Sequence, residues 1–246
     1  MRRYHLTFRL LGLLALLIRP AAAMPGSAGD TERTRRGPLV IRPLTHASVL
    51  FQWRGQAIYV DPAGSYDWGS LPKADLILIT HEHPDHCSPE TVAKIRNSRT
   101  QIVSNADCAR QFPGAIVMRN GGRRQVLEIG IRAVPAYNRV RKAPNGQFYH
   151  PKGRDNGYIL TFAEKRVYLA GDTEAIPEMA RLGHIDIAFL PINLPYTMPP
   201  AEAAKAARMV KPRILYPYHQ GQSDPAEVKA LLRDMKGTEV RVRALP

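Results

Sequence analysis

The chain has 246 residues, 44% of them hydrophobic, enough for one large α/β domain or two small ones. Two cysteines in a chain this long exclude a small disulfide-stapled fold. The net charge of +14 comes without a lysine/arginine block interleaved with aromatics, which argues against a dedicated nucleic-acid binder.

The first stretch reads as an export signal. Arg2 and Arg3 precede an apolar run from Leu10 to Ile18, followed by Arg19-Pro20 and Ala21-Ala22-Ala23. A basic start, a short apolar core and a small-residue site predict a signal peptide over 1–23 and a periplasmic or secreted protein. The apolar run is well short of the roughly 20 residues a spanning helix needs, so no transmembrane anchor is expected. Arg2-Arg3 is a partial match to the twin-arginine route, and no cysteine follows the apolar core to carry a lipid. Removing this signal takes away four positive charges and leaves about +10 on the remaining chain, suited to an anionic small-molecule substrate or simply to solubility. The stretch "MPGSAGDTERTRRGP" (24–38) is small, polar and charged and reads as a flexible leader. One domain is expected over 39–246. Oligomeric state leaves no mark in the sequence.

Within the domain, "HASVLFQWRGQAIYVDPA" (46–63) alternates around Arg54-Gly55 and predicts a hairpin. "ADLILIT" (74–80) is a short continuous apolar run, as in a strand covered on both faces. "SPETVAKIRNS" (88–98) begins a helix, with Ser88 as cap and Pro89 in the first turn. Strands follow in "QIVS" and "AIVMR", around a short helix at 105–111, and then across 124–137. The segment 138–156, "NRVRKAPNGQFYHPKGRDN", is the longest without regular structure and the most basic, and reads either as a clamp for a carboxylate or phosphate or as a solvated flap. After it come the strands "GYILTF" and "RVYLAGDT", a short helix "PEMARLG" and the buried-strand run "IDIAFLPI". A helix over 200–212, the strand "RILYPYH", an amphipathic helix over 224–237 and a last strand "TEVRVRAL" complete the chain. Paired β-rich runs, then helices interleaved with buried strands, imply an α/β fold with sheets covered by helices on their outer faces. No internal repeat of fixed period is present.

The chemistry concentrates in "ILITHEHPDHCSPE" (77–90), where an apolar strand runs into three histidines and two acids. In extended chain, residues two apart point the same way, so His81 and His83 can grip one ion while Glu82 faces away. Pro84 forces a bend, after which Asp85 and His86 can address a second ion. Imidazole and carboxylate donors suit zinc first, with iron or manganese as alternatives.

"HEHPDH" after an apolar strand resembles the H-x-H-x-D-H signature of the metallo-β-lactamase fold hydrolases, of the lactonase-like and glyoxalase-II-like branch. Two later elements carry the same resemblance: Asp172 in "VYLAGDT" and His219 in "ILYPYHQG". The resemblance implies a four-layer αββα sandwich over roughly 39–246. It also implies two divalent metal ions: His81 and His83 on the first, Asp85, His86 and His219 on the second, and Asp172 bridging. Family members usually carry a further histidine for the first ion before the bridging acid. Here His150 is the histidine available in that interval, and Asn138 is the competing candidate. The opening hairpin resembles that of the lactonase-like branch, which puts His46 and Asp61 near the metals. Asp61 then either orients a ligand histidine or forms a turn before Pro62.

A zinc ion lowers the pKa of bound water to roughly 7, so the expected reaction is hydrolysis by a metal-bound hydroxide with Asp85 moving the proton. A small ester or lactone is the first substrate class. A phosphodiester of lipid or nucleic acid is the alternative, and a non-catalytic metal-binding protein the third reading. Tyr196 and Thr197 fall where such folds line their pockets. Cys87, beside the cluster, reads as a small buried residue or one half of a bridge to Cys108, and His184 as a surface residue.

Overall fold

The computed structural model describes residues 29–243 and Leu245. The expected signal peptide over 1–23 lies outside the described residues. Part of the expected leader does not. Asp30–Thr34 forms strand β1, antiparallel to β2 (Gly37–Thr45), so 30–38 is folded chain rather than a flexible lead-in, and ordered structure begins before residue 39. Its polar alternation has partners in the distant C-terminal segment. Asp30 accepts from the Tyr216 hydroxyl at 2.7 Å and pairs with Arg243 at 2.6 Å, and Glu32 meets Arg241 at 2.9 Å.

Strands β3 (Ser48–Trp53) and β4 (Gln56–Val60) form the expected hairpin, with Arg54 and Gly55 both at positive φ, the combination that matches the twist of paired strands. From β4 the first sheet turns parallel: β5 (Leu76–Leu78), β6 (Gln101–Ser104) and β7 (Ile116–Val117). Helices α1 (Pro89–Ile95) and α2 (Ala106–Ala109) make the crossovers. Both start on side-chain caps, Ser88 to the Thr91 N–H and Asn105 to the Cys108 N–H.

The second sheet repeats the plan. Strands β8 (Arg123–Val126), β9 (Ile129–Ala136), β10 (Asp155–Phe162) and β11 (Lys165–Leu169) are antiparallel. Strands β12 (Ile187–Pro191), β13 (Ile214–Tyr218) and the two-residue β14 (Glu239–Val240) continue in parallel. A 3-10 turn at Pro177–Arg181 and helices α3 (Pro200–Val210) and α4 (Pro225–Leu231) accompany them. The last helix is shorter than the 224–237 expected. Arg208 donates to the Leu231 carbonyl at 3.1 Å and holds Asp234 at 2.7 Å, occupying an acceptor that a longer helix would use for itself.

The two seven-stranded sheets face each other across an apolar core that includes Phe51, Phe162, Phe189 and Tyr216. Phe189 and Tyr216 stack at 4.7 Å, and truncating one such aromatic costs roughly 3–5 kcal/mol. Smaller apolar layers bury α1 and α2 on the outside of the first sheet, and α3 and α4 on the outside of the second. The result is a mixed α/β sandwich with helices on both outer faces. Parallel strands place the loops after β5, β11 and β13 at one edge of the sandwich, and that edge holds the histidines. Among the described residues no helix is long and apolar enough to cross a membrane.

Candidate metal centre

Each loop at this edge is shaped by local backbone chemistry. After β5 the chain passes Ile79 and Thr80 and then doubles back at Pro84: the His83 carbonyl accepts the N–H of His86 at 2.9 Å and of Cys87 at 2.8 Å. That turn brings Asp85 and His86 round to face His81 and His83. After β11, Gly171 takes φ +64, and a Cβ there would lie 2.9 Å from the Asn156 carbonyl oxygen, so glycine is required to deliver Asp172. His219, directly after β13, has φ 48 and donates its N–H to the carbonyl of His46, itself at φ 47. Asp61, directly after β4, is also left-handed at φ 47. Three non-glycine residues in that uncommon region, all at one site, mark backbone strain held in place by the surrounding fold.

The side chains converge in two clusters with Asp172 between them. In the first, His83 Nδ1 lies 3.2 Å from both His81 Nε2 and His150 Nε2. Asp172 Oδ2 faces this group, 3.4 Å from His150 Nε2 and 4.0 Å from His81 Nε2. In the second, His86 Nε2 and His219 Nε2 are 3.1 Å apart, and each is 3.3 Å from Asp172 Oδ1. Asp85 Oδ2 completes this group, 3.4 Å from His219 and 3.7 Å from His86.

These atoms are donors to something other than each other. Asp172 Oδ1 is buried and makes no hydrogen bond of ordinary geometry, although two imidazole nitrogens stand near it. Two ligands about 2.05 Å from a tetrahedral zinc are separated by roughly 3.3 Å, the spacing seen within each cluster. The donor set therefore fits divalent cations: His81, His83, His150 and Asp172 on one side, Asp85, His86, His219 and Asp172 on the other.

Supporting groups fix which nitrogen points inward. Asp61 is fully buried and accepts from the Thr80 N–H and hydroxyl, both at 2.7 Å, with His86 Nδ1 at 2.9 Å. Thr80 Oγ1 lies 2.9 Å from His81 Nδ1. One carboxylate and one hydroxyl thus set the ring orientation of a histidine in each cluster. Asp61 occupies both roles weighed for it, turning the chain before Pro62 and orienting a histidine. Asn138 does not point at the clusters. Its Oδ1 accepts from the His150 backbone at 2.7 Å and lies 2.8 Å from His150 Nδ1, so it braces the histidine from behind. His46 is partly exposed, with Nε2 3.1 Å from Asp85 Oδ2.

Electrostatics follow from burial and from the two central carboxylates. Burial pushes His150 down to about 4 and holds His81 and His83 below the ordinary histidine range, which keeps the first cluster's imidazoles neutral and ready to ligate. At His86 the same burial is overcome by Asp172 and Asp61, which raise it well above that range. Burial would raise Asp172 and Asp85, but the facing histidines, His219 among them, hold both carboxylates well below their usual range.

The other residues singled out have contacts of their own. Tyr196 is exposed; its carbonyl accepts from Asn138 Nδ2 at 2.8 Å and its ring meets Tyr149 at 5.0 Å. Thr197 is fully buried with its hydroxyl bonded to Asn193. Cys87 and Cys108 are buried free thiols rather than a bridge. Glu82 pairs with Arg154 at 2.9 Å, away from the clusters, and His184 is exposed near Asp186.

The long basic segment is pinned rather than loose. Buried Glu174 accepts the backbone N–H groups of Arg139, Val140 and Arg141, and Arg141 also pairs with Glu202 at 2.7 Å. Sequence reading missed Glu174 and Thr80. Glu174 bonds backbone and leaves no pattern, whereas a hydroxyl directly before the first histidine was a readable signal for Thr80.

Such a two-sheet sandwich with a histidine–aspartate edge defines a metal-dependent hydrolase of the metallo-β-lactamase type. Comparison with known proteins agrees. The beta-lactamase superfamily domain matches residues 40–219. A UPF0173 metal-dependent hydrolase of Thermococcus onnurineus is 35% identical over 214 residues, 79% of this chain and 92% of the relative. A solved structure from Parabacteroides distasonis, described as a metal-dependent hydrolase, is 47% identical with a TM-score of 0.84, covering 89% of this chain and 99% of that one. Igni18, a metallo hydrolase of Ignicoccus hospitalis, is 25% identical with a TM-score of 0.69, covering 83% of this chain and 94% of that one. The chain belongs to the beta-lactamase superfamily and, within it, to the UPF0173 metal-dependent hydrolases.

Proposed function

We propose that the protein is an exported hydrolase that uses two divalent cations, zinc first, to cleave a small ester or lactone bearing negative charge. The observation that carries this reading is Asp172, whose two oxygens face two separate donor clusters. His81, His83 and His150 would hold one ion, and Asp85, His86 and His219 the other. When bound, the cations supply Lewis-acid charge and lower the pKa of coordinated water toward roughly 7. The rest is the work of this chain's own residues. Thr80, Asp61 and Asn138 keep the imidazoles aimed, so little reorganisation accompanies the reaction. Asp85 is half-exposed, with Oδ2 beside His219 and His46, and is placed to take a proton and return it to the leaving group. The carboxylate at position 172 supports ester chemistry, and exposed Arg139 at the edge of the pinned loop supports an anionic substrate. The basic apolar start of the sequence supports export.

The test is turnover by metal-loaded protein on chromogenic panels. Lactones and carboxylic esters should be hydrolysed faster than bis(p-nitrophenyl) phosphate, and Asp172→Ala should remove that activity. A preference for the phosphodiester would replace the substrate class. No turnover on any panel by protein carrying its full metal complement would leave a metal-binding protein.

A further inference from the structure

The outer face of the second sheet is covered by α3, α4 and the 3-10 turn, but the cover stops short of β8 and the nearer half of β9. Four arginines line the groove of about 500 Å³ that remains: Arg123, Arg124, Arg132 and Arg166, with Ile159 and Thr161 among its other walls. Register explains the crowding. Arg123 on β8 stands directly opposite Arg132 on β9, and Arg166 on β11 stands opposite Thr161 on β10. Like charges directly opposite in an antiparallel pair destabilise it. Among the described residues no acid lines the groove to relieve that repulsion. Asp186, whose charge acts on Arg166, accepts that residue's backbone N–H at 2.9 Å and also faces Lys165 and His184 at 3.4 Å. Burial, then the charges of Arg132 and Arg123, hold the Arg166 guanidinium below its ordinary range.

The cluster is also positioned. Arg166 Nη2 donates to the Leu182 carbonyl at 3.0 Å, and a Cβ on Gly183 would come within 3.1 Å of Arg166 Nη1, so the glycine makes room for the guanidinium. The groove sits at the far end of β10 and β11 from Asp155 and Asp172, roughly 15–20 Å along the strands. Among the described residues no aromatic side chain lines it, so unpaired bases would find no platform to stack on there.

We infer that this groove is a second anion site, separate from the metal centre, built for a ligand with adjacent phosphoryl groups. Planar guanidinium forks match phosphoryl oxygens two at a time, and several phosphates would supply the counter-charge that the protein leaves out. A soluble diphosphate and the closely spaced phosphodiesters of neighbouring headgroups on an anionic phospholipid surface share this chemistry.

Calorimetric titration of the full chain with inorganic pyrophosphate tests it, alongside flotation with phosphatidylglycerol and with phosphatidylcholine vesicles. Binding should weaken with added salt and fall about tenfold or more in an Arg123→Gln, Arg132→Gln double variant. Its melting temperature should hold or rise, since a repulsive pair has gone. Asp172→Ala should keep the pyrophosphate-binding step that the double variant loses, whatever heat the metal centre adds in the wild type. Pyrophosphate binding without flotation assigns the groove to a soluble ligand. Flotation on phosphatidylglycerol alone, lost in the double variant, assigns it to lipid. Undiminished binding by the double variant, loss of binding in Asp172→Ala alone, or neither heat nor flotation in the wild type overturns the inference.

Discussion

The two donor clusters beside Asp172 are built from different chemistry. The first is three imidazoles, His81, His83 and His150, two of them fully buried and backed by Thr80 and Asn138. The second mixes His86 and His219 with Asp85, a carboxylate that is nearly half exposed and has His46 at its side. One half is closed and neutral. The other carries a carboxylate open to solvent. An imidazole-only cage braced from behind is suited to holding an ion, whereas a carboxylate at the solvent edge is suited to moving protons.

Substitutions can break this contrast, and the largest effect belongs to the residue common to both halves. Asp172→Ala should lower turnover by about a thousandfold or more and release both ions, read by steady-state kinetics and metal analysis together. Next comes one histidine from each side. His150→Ala and His219→Ala should each leave about one ion per chain, and Asp85→Asn should lower kcat more than it lowers metal content. Supporting residues sharpen the comparison further. Thr80→Val should weaken binding in both clusters by roughly 10–100-fold, because Thr80 touches His81 and, through Asp61, His86. Asn138→Ala should weaken the first alone, in a chelator competition assay.

The smallest effect is on stability. His150 is pushed down to about 4 in the fold, against about 6.5 in an unfolded chain. Below pH 6.5 the unfolded state therefore takes up a proton that the folded state refuses. In metal-stripped protein the stabilisation is present above pH 6.5 and is lost as pH falls toward 4, by up to about 3 kcal/mol. Denaturant melts across that window should show the decline, and His150→Asn should reduce it, leaving the share that His81 and His83 contribute.

Much of this arrangement was legible in the sequence, for a physical reason. Residues 81–86, Asp172 and His219 each follow an apolar strand run, and parallel strands bring their following loops to one edge. The choice between His150 and Asn138 was not legible. They lie twelve positions apart in a segment without periodicity, and the two ends of that segment are zipped together, Asn138 N–H to the His150 carbonyl at 2.8 Å. Strand β1 was missed because "DTERT" is polar throughout, and its partners Tyr216, Arg241 and Arg243 come from the other end of the chain. Glu174 was unreadable for a third reason: most of what it holds is backbone. The arginine groove depended on register, since Arg123 and Arg132 become neighbours only when β8 pairs with β9.

The most direct test of the paired clusters is metal content per chain, measured by mass spectrometry on the wild type and on Asp172→Ala. Two ions in the wild type and fewer than one in the variant are predicted. Two tightly held ions in both proteins, or fewer than one in a catalytically active wild type, would contradict it.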